Sequence, residues 1–172
     1  MDLKTIRAEK DAFFAQHPQS PLTREQKRAF KGLEHFPEAP ELRLEVVVEQ
    51  FPEKQVVEFQ TSTGDIQTYQ RYGKFRFQVD RQEAELTIYA DSHGFFLPFV
   101  DSLAGTQTYP AGRYLEPMPL ADGKFLVDFN LAYNPYCAYN DGWSCPLTPF
   151  ENRLRVPIRA GEKIFAHERT EE

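Results

Sequence analysis

"GKFRFQVDRQEAELTIY", residues 73–89, carries the clearest structural signal in the chain. Phe75, Phe77 and Val79 alternate with Lys74, Arg76 and Gln78, the period of two that puts one face of a strand in a core and the other in water. After a turn near Arg81, Leu86 and Ile88 alternate with Glu85, Thr87 and Tyr89, which reads as the antiparallel partner. A hairpin is therefore the expected centre of the fold.

Outward from this hairpin the same period recurs. Upstream, "ELRLEVVVEQ" (41–50) and "KQVVEFQTS" (54–62) read as strands, Gly64 supplies a hairpin turn, and "IQTYQRY" (66–72) resumes the extended pattern. Gly73 interrupts that run as a bend or bulge. Downstream, "FFLPFV" (95–100) is an apolar run in which Pro98 argues for an edge or kink. Asp122-Gly123 marks a turn before the strand "KFLVDFN" (124–130). "NRLRVPIRAG" (152–161) alternates Leu154, Val156 and Ile158 with arginines and Pro157, and reads as one more edge-like strand. About eight to ten short strands at hairpin spacing predict a mainly β fold, an antiparallel sandwich or barrel-like sheet.

The first forty residues follow a different period. Leu3, Ile6, Phe13 and Phe14 stand at helical spacing, with Asp2 placed to cap the start and Pro18 to limit the end. A second helix opens at Thr23, whose spacing to Gln26 is that of a capping box, and Gly32 stands where it stops. The expected organisation is a single domain over 1–172: a helical segment at 1–36, a β domain at 42–166 and a frayed charged tail at 167–172.

Composition bounds the function. Of 172 residues, 41% are hydrophobic and 27% charged, enough for a packed core, and an aromatic share of 14% favours strands. The net charge of −6 and the pI of about 5.3 are the reverse of what a phosphate-backbone binder carries, so no nucleic acid is expected. Apolar runs fall far short of a bilayer span and charge begins at Asp2, so neither membrane helix nor signal peptide is expected, and the location reads as cytoplasmic. No Gly-x-Ser-x-Gly elbow, Gly-x-Gly-x-x-Gly fingerprint or phosphate-binding loop is present. The four histidines, His17, His35, His93 and His167, are scattered, so no metal site is expected. Cys137 and Cys145 lie eight apart, a spacing that permits a bridge but is not Cys-x-x-Cys. Without an export signal they are expected as free, buried thiols.

One polar pattern stands out. In 124–130, Phe125, Val127 and Phe129 share a core face, while Leu126, Asp128 and Asn130 share the other. If 112–117 pairs with 124–130 across the Asp-Gly turn, Arg113 falls beside Asp128, with Tyr109 upstream and Asn134 downstream. Glu151, Asn152 and Glu162 could add a wall. Two readings follow. The cluster is a pocket in which Arg113 holds an anionic group and Asp128 and the asparagines orient it. Alternatively, it is a buried network tying long loops to the sheet.

The stretches "GTQTYPAGRYL", "DFNLAYNPYCAYNDGWSCPLTPFENRL" and "RAGEK" resemble the uncharacterised prokaryotic family catalogued as domain of unknown function 1684, nearly end to end. Mapped here, the family's signature includes Tyr109, Arg113, Asp128, Asn130, Asn134, Cys137, Cys145, Asn152 and Glu162. A departure is Leu103-Ala104, where the family pattern has Thr-Ser before Gly. The resemblance implies no activity. The expected ligand-binding set is Arg113, Asp128, Asn130, Asn134, Tyr109, Asn152 and Glu162, with no catalytic residue assigned and no cofactor. The expected function is a small-molecule-binding or enzymatic domain, taking a ligand with an anionic group. The alternative is a non-enzymatic structural or interaction module, with self-association open in either case.

Overall fold

The computed structural model describes residues 2–165. Two open antiparallel sheets and two short helices make up the architecture, a sandwich-like arrangement. The larger sheet is built on the hairpin read from 73–89. Strand β4 (Ile66–Val79) pairs with β5 (Gln82–Asp91), with Phe75 opposite Leu86 and Phe77 opposite Ala84. The turn between them uses left-handed backbone at Asp80 and Arg81, the conformation that matches strand twist in a two-residue hairpin. The sheet continues through β6 (Gly94–Phe99) to β7 (Arg113–Leu115), while β2 (Glu49–Gln50) and β3 (Val56–Gln60) both lie against β4. The register of β4 shifts between Arg71 and Gly73, so the expected bulge is present. A Cβ at Gly73 would stand 2.8 Å from the Glu49 carbonyl oxygen, so the close approach of β2 requires glycine there.

The smaller sheet has the order β1 (Arg43–Val47), β9 (Lys124–Asp128), β8 (Met118–Pro119). Phe125 and Val127 of β9 and Val46 of β1 meet Phe75, Phe77, Leu86, Ile88, Leu97 and Phe99 of the larger sheet in one apolar core. Aromatic rings meet edge-on at the centre, as in Phe99 against Phe129 at 5.3 Å.

Both helices start where the sequence places them, although α2 ends at Ala29, before Gly32. Helix α1 (Leu3–Gln16) is capped by the Asp2 carboxylate accepting from the Thr5 amide at 2.8 Å. Helix α2 (Arg24–Ala29) starts with the expected reciprocal bonds between Thr23 and Gln26. Phe14 of α1 and Leu22 bury themselves against Tyr139, forming a second small core. No helix among the described residues is long and apolar enough to cross a membrane.

Two expectations about elements need correction. Residues 152–161 do not form a ladder strand, although Val156 and Ile158 are buried as the alternation implies. Backbone bonds to Val100 and Ser102 hold residues 152–156 through one parallel bridge at Arg153, and from Ile158 onward side chains take the place of a neighbouring strand, as described below. Residues 112–117 do not pair with 124–130. Arg113–Leu115 pairs with β6, and across the Asp-Gly turn only Met118 and Pro119 reach β9. Prolines at 117 and 119 lack the amides that a longer ladder needs. The expected tail at 167–172 lies outside the described residues.

Candidate functional site

Arg113 projects from β7 into the core and is 1% exposed. Its guanidinium donates to the carbonyls of Ile158 (2.9 Å), Ala160 and Glu162 (3.1 Å), alternate residues of one segment. Asp101, 3.9 Å from Arg113, accepts the Ile158 amide at 2.8 Å and the Thr108 hydroxyl at 2.7 Å. Together the two side chains do for residues 158–162 what a strand edge would do. Burial pulls the Arg113 guanidinium down to about 10, against the raising influence of Asp101 and Glu162, so it stays charged at neutral pH.

The asparagines play the same part. Asn130 accepts the Ala39 amide (2.8 Å) and donates to the Ala39 carbonyl (2.9 Å), gripping both backbone groups of one residue. Asn152, fully buried, accepts the Thr87 amide (2.9 Å) and donates to the carbonyls of Thr87 (2.9 Å) and Pro98 (2.8 Å). Each replaces a missing strand neighbour and satisfies buried backbone groups that would otherwise be costly. Arg113 and Asp128 are therefore not the neighbours expected from the sequence. Asp128 accepts from the Asn130 amide and side chain at 3.0 Å each and lies 3.8 Å from Arg43.

A cavity of about 350 Å³ opens beside this network, between α1 and the smaller sheet. Leu3, Ile6, Arg7 and Lys10 of α1 line it, at the i, i+3, i+4, i+7 spacing of one helix face. Leu115, Met118, Leu126 and Leu131 face them, and the polar part of the wall is Asp128, Asn130, His35, Tyr133, Glu162 and Glu116, the last bonded to the Tyr133 hydroxyl. Glu162 is the hub. Its carboxylate, 3% exposed, accepts from Lys10 Nζ, from the Asn134 amide (2.9 Å) and from the Tyr139 hydroxyl (3.2 Å). Lys10 is thereby neutralised, as Asp128 is by Arg43.

Arg7 is not. Its Nε and Nη2 are out of solvent contact with no hydrogen-bond partner among the described residues. Burial lowers the Arg7 guanidinium below its ordinary value, opposed by the more distant charges of Glu38 and Glu162. The His35 imidazole is likewise held below its usual 6.5, first by burial and then by the Arg7 charge. A half-shielded cation with spare donors at the rim of an apolar cavity is chemically fit to hold an anionic group.

A second cleft, about 490 Å³, lies on the other side of Lys10 and Tyr133 and is lined by Tyr114, Asn134, Tyr136 and Trp143. Of the expected ligand set, the structure brings Asp128, Asn130 and Glu162 to the first cavity and Asn134 to the second. Arg113 and Asn152 are in the core, and Tyr109 is half-buried in the turn whose carbonyl accepts the Gly112 amide.

Residues 28–163 match the family described as "Protein of unknown function (DUF1684)". The chain belongs to this family. It is also similar to the solution NMR structure of the uncharacterized protein from gene locus rrnAC0354 of Haloarcula marismortui. The two share 38% identity over 94% of this chain and 91% of that one, with a TM-score of 0.71. No curated protein matches.

In this DUF1684 member the matched range holds Asp128, Asn130, Asn134 and Glu162, and it begins after α1, which supplies Arg7 and Lys10. Those two cations were missed in the sequence. The signal was present, since they stand on the same helical stripe as Leu3 and Ile6, where apolar residues are expected. The cysteines also need correction, because Cys137 and Cys145 are joined in a disulfide. A single helical turn at Tyr136–Ala138 folds the loop back and brings their Cα atoms to 6.4 Å, within bridging reach. Ser62 fastens that loop to the β3–β4 turn, donating to the Trp143 carbonyl (2.9 Å) and accepting the Cys145 amide (3.1 Å). No cluster of three or more metal-ligating side chains occurs among the described residues.

Proposed function

We propose that this DUF1684 member binds a small amphipathic anion, an aliphatic carboxylate in the simplest case, in the cavity between α1 and the smaller sheet. One observation carries the reading: Arg7 presents buried nitrogens without partners at a cavity walled by leucines and a methionine. Unmade bonds to a shielded guanidinium are costly, and a carboxylate or similar oxyanion would satisfy them in bidentate fashion. The volume falls at the small end of ligand sites, which limits the occupant to a compact molecule. Asp128, Asn130 and Glu162 enter as groups that shape the polar rim and hold Lys10. Arg113 is left out of the binding set, since its donors are spent on backbone carbonyls.

The test is a thermal-shift and calorimetric titration with octanoate, using octanol as the uncharged control. A ligand of the native state raises the melting temperature in proportion to its occupancy. Octanoate should stabilise the protein more than octanol, and Arg7→Gln should erase that difference while leaving the unliganded melt near normal. Equal responses to the acid and the alcohol, or an unaltered octanoate response in Arg7→Gln, would overturn the proposal.

A further inference from the structure

The second cleft is larger than the first and differs from it in chemistry. Its walls are aromatic: Tyr136 meets Trp143 edge-on at 5.1 Å, and Tyr114 meets Tyr133 at 5.9 Å. Two of the hydroxyls are already engaged elsewhere. The Tyr114 hydroxyl donates to the Pro146 carbonyl and the Tyr133 hydroxyl to Glu116. Lys10, shared with the first cavity, is bound to Glu162. One buried acceptor of the lining is left without a partner. Asn134 is 2% exposed, its amide nitrogen donates to the Lys163 carbonyl at 3.0 Å, and its Oδ1 is buried with no partner. The bond to Lys163 fixes which arm of the amide is the oxygen, so the orphan group accepts and cannot donate.

From this we infer that the cleft is a binding site for a planar heteroaromatic ring carrying an N–H. The flat walls offer edge and face contacts to a ring, and Asn134 Oδ1 supplies a directional acceptor that no group of the protein fills. A cationic guest is disfavoured, because the neighbouring charge is Lys10 and the carboxylate that would balance a guest is already bound to it. A fully apolar ring is disfavoured too, since it would leave Oδ1 buried and unpaired. The inference stands apart from the carboxylate reading of the first cavity, with which this cleft shares only Lys10 and Tyr133.

Trp143 is the only tryptophan in the chain and lines the cleft, so its emission is a local reporter. The full-length protein should be titrated with benzimidazole and with 1-methylbenzimidazole, above the pH at which either ring is protonated and with no carboxylate present. Excitation at the red edge of indole absorption avoids the probes. Benzimidazole should change Trp143 emission saturably, and the methylated ring, which keeps the shape but lacks the donor, should bind about tenfold more weakly or worse. Trp143→Ala, in an exposed part of the loop, should weaken benzimidazole binding followed by equilibrium dialysis. Indistinguishable binding of the two rings, or no saturable response to benzimidazole, would overturn the inference. Either result would leave the octanoate test of the first cavity untouched.

Discussion

A few buried polar side chains in this protein act as pieces of backbone. Arg113 holds three alternate carbonyls, and Asn130 and Asn152 each hold the amide and carbonyl of one residue. Removing Arg113 strands those carbonyls and leaves Asp101 as an unbalanced buried charge. Arg113→Ala should therefore lower stability by about 3–5 kcal/mol in urea melts. The shorter, single-point ammonium of Arg113→Lys should recover little of it, because it cannot span carbonyls two residues apart. His35 sets a different expectation. Its folded value is held below 6.5, so between that value and 6.5 the unfolded chain binds more protons than the folded one. Its contribution is complete above about pH 6.5 and is lost as the pH falls toward the lowered value. Urea melts from about pH 7.5 to 5.5 should show stability falling on acidification, and His35→Gln should flatten that part of the slope. An anion placed beside Arg7 and His35 would favour the protonated ring, so octanoate should bind more tightly as the pH falls through the same window.

At the scale of elements, the loop from 134 to 146 is the least regular part of the sequence and the most heavily fastened. The disulfide closes it, Ser62 anchors it to the β3–β4 turn, and Tyr139 packs it against Phe14 of α1. Closing a loop of this length contributes about 2.5 kcal/mol by restricting the unfolded chain. Adding a reductant should lower the urea midpoint by the corresponding amount, whereas Cys137→Ser/Cys145→Ser should be insensitive to it. The rest of the legibility at this scale was mixed. Both helix starts, the Gly73 bulge and the turn after Val79 could be read because each depends on residues adjacent in sequence. The pairing of 112–117 with 124–130 could not, because a dipeptide turn signal says where a chain reverses and not how long the ladder beside it runs. The alternation in 152–161 correctly marked Val156 and Ile158 as buried, but periodicity does not encode whether a strand or a guanidinium stands alongside.

For the whole molecule, alternation and aromatic content were enough to read an antiparallel β fold, since they report burial on one face of a sheet. The candidate site was legible only in part. Asp128 and Asn130 stand out on the mixed face of 124–130 and Glu162 through the family signature, and all three border the first cavity. The partners that give the cavity its chemistry come from α1, far away in sequence, and Arg113 was misassigned because a buried cation reads alike whether it faces a ligand or a carbonyl. Lys10 meets Glu162 across 152 positions, and His35 bridges to the same residue. This meeting of residues far apart in sequence constrains biosynthesis. A ribosome delivers α1 well before the acceptor for its lysine and the segment that Arg113 grips. Until residue 162 has cleared the exit tunnel, Lys10 has no carboxylate partner there and the first cavity lacks part of its wall. The first cavity is thus complete only after residue 162 has emerged, however early the sheets begin to form.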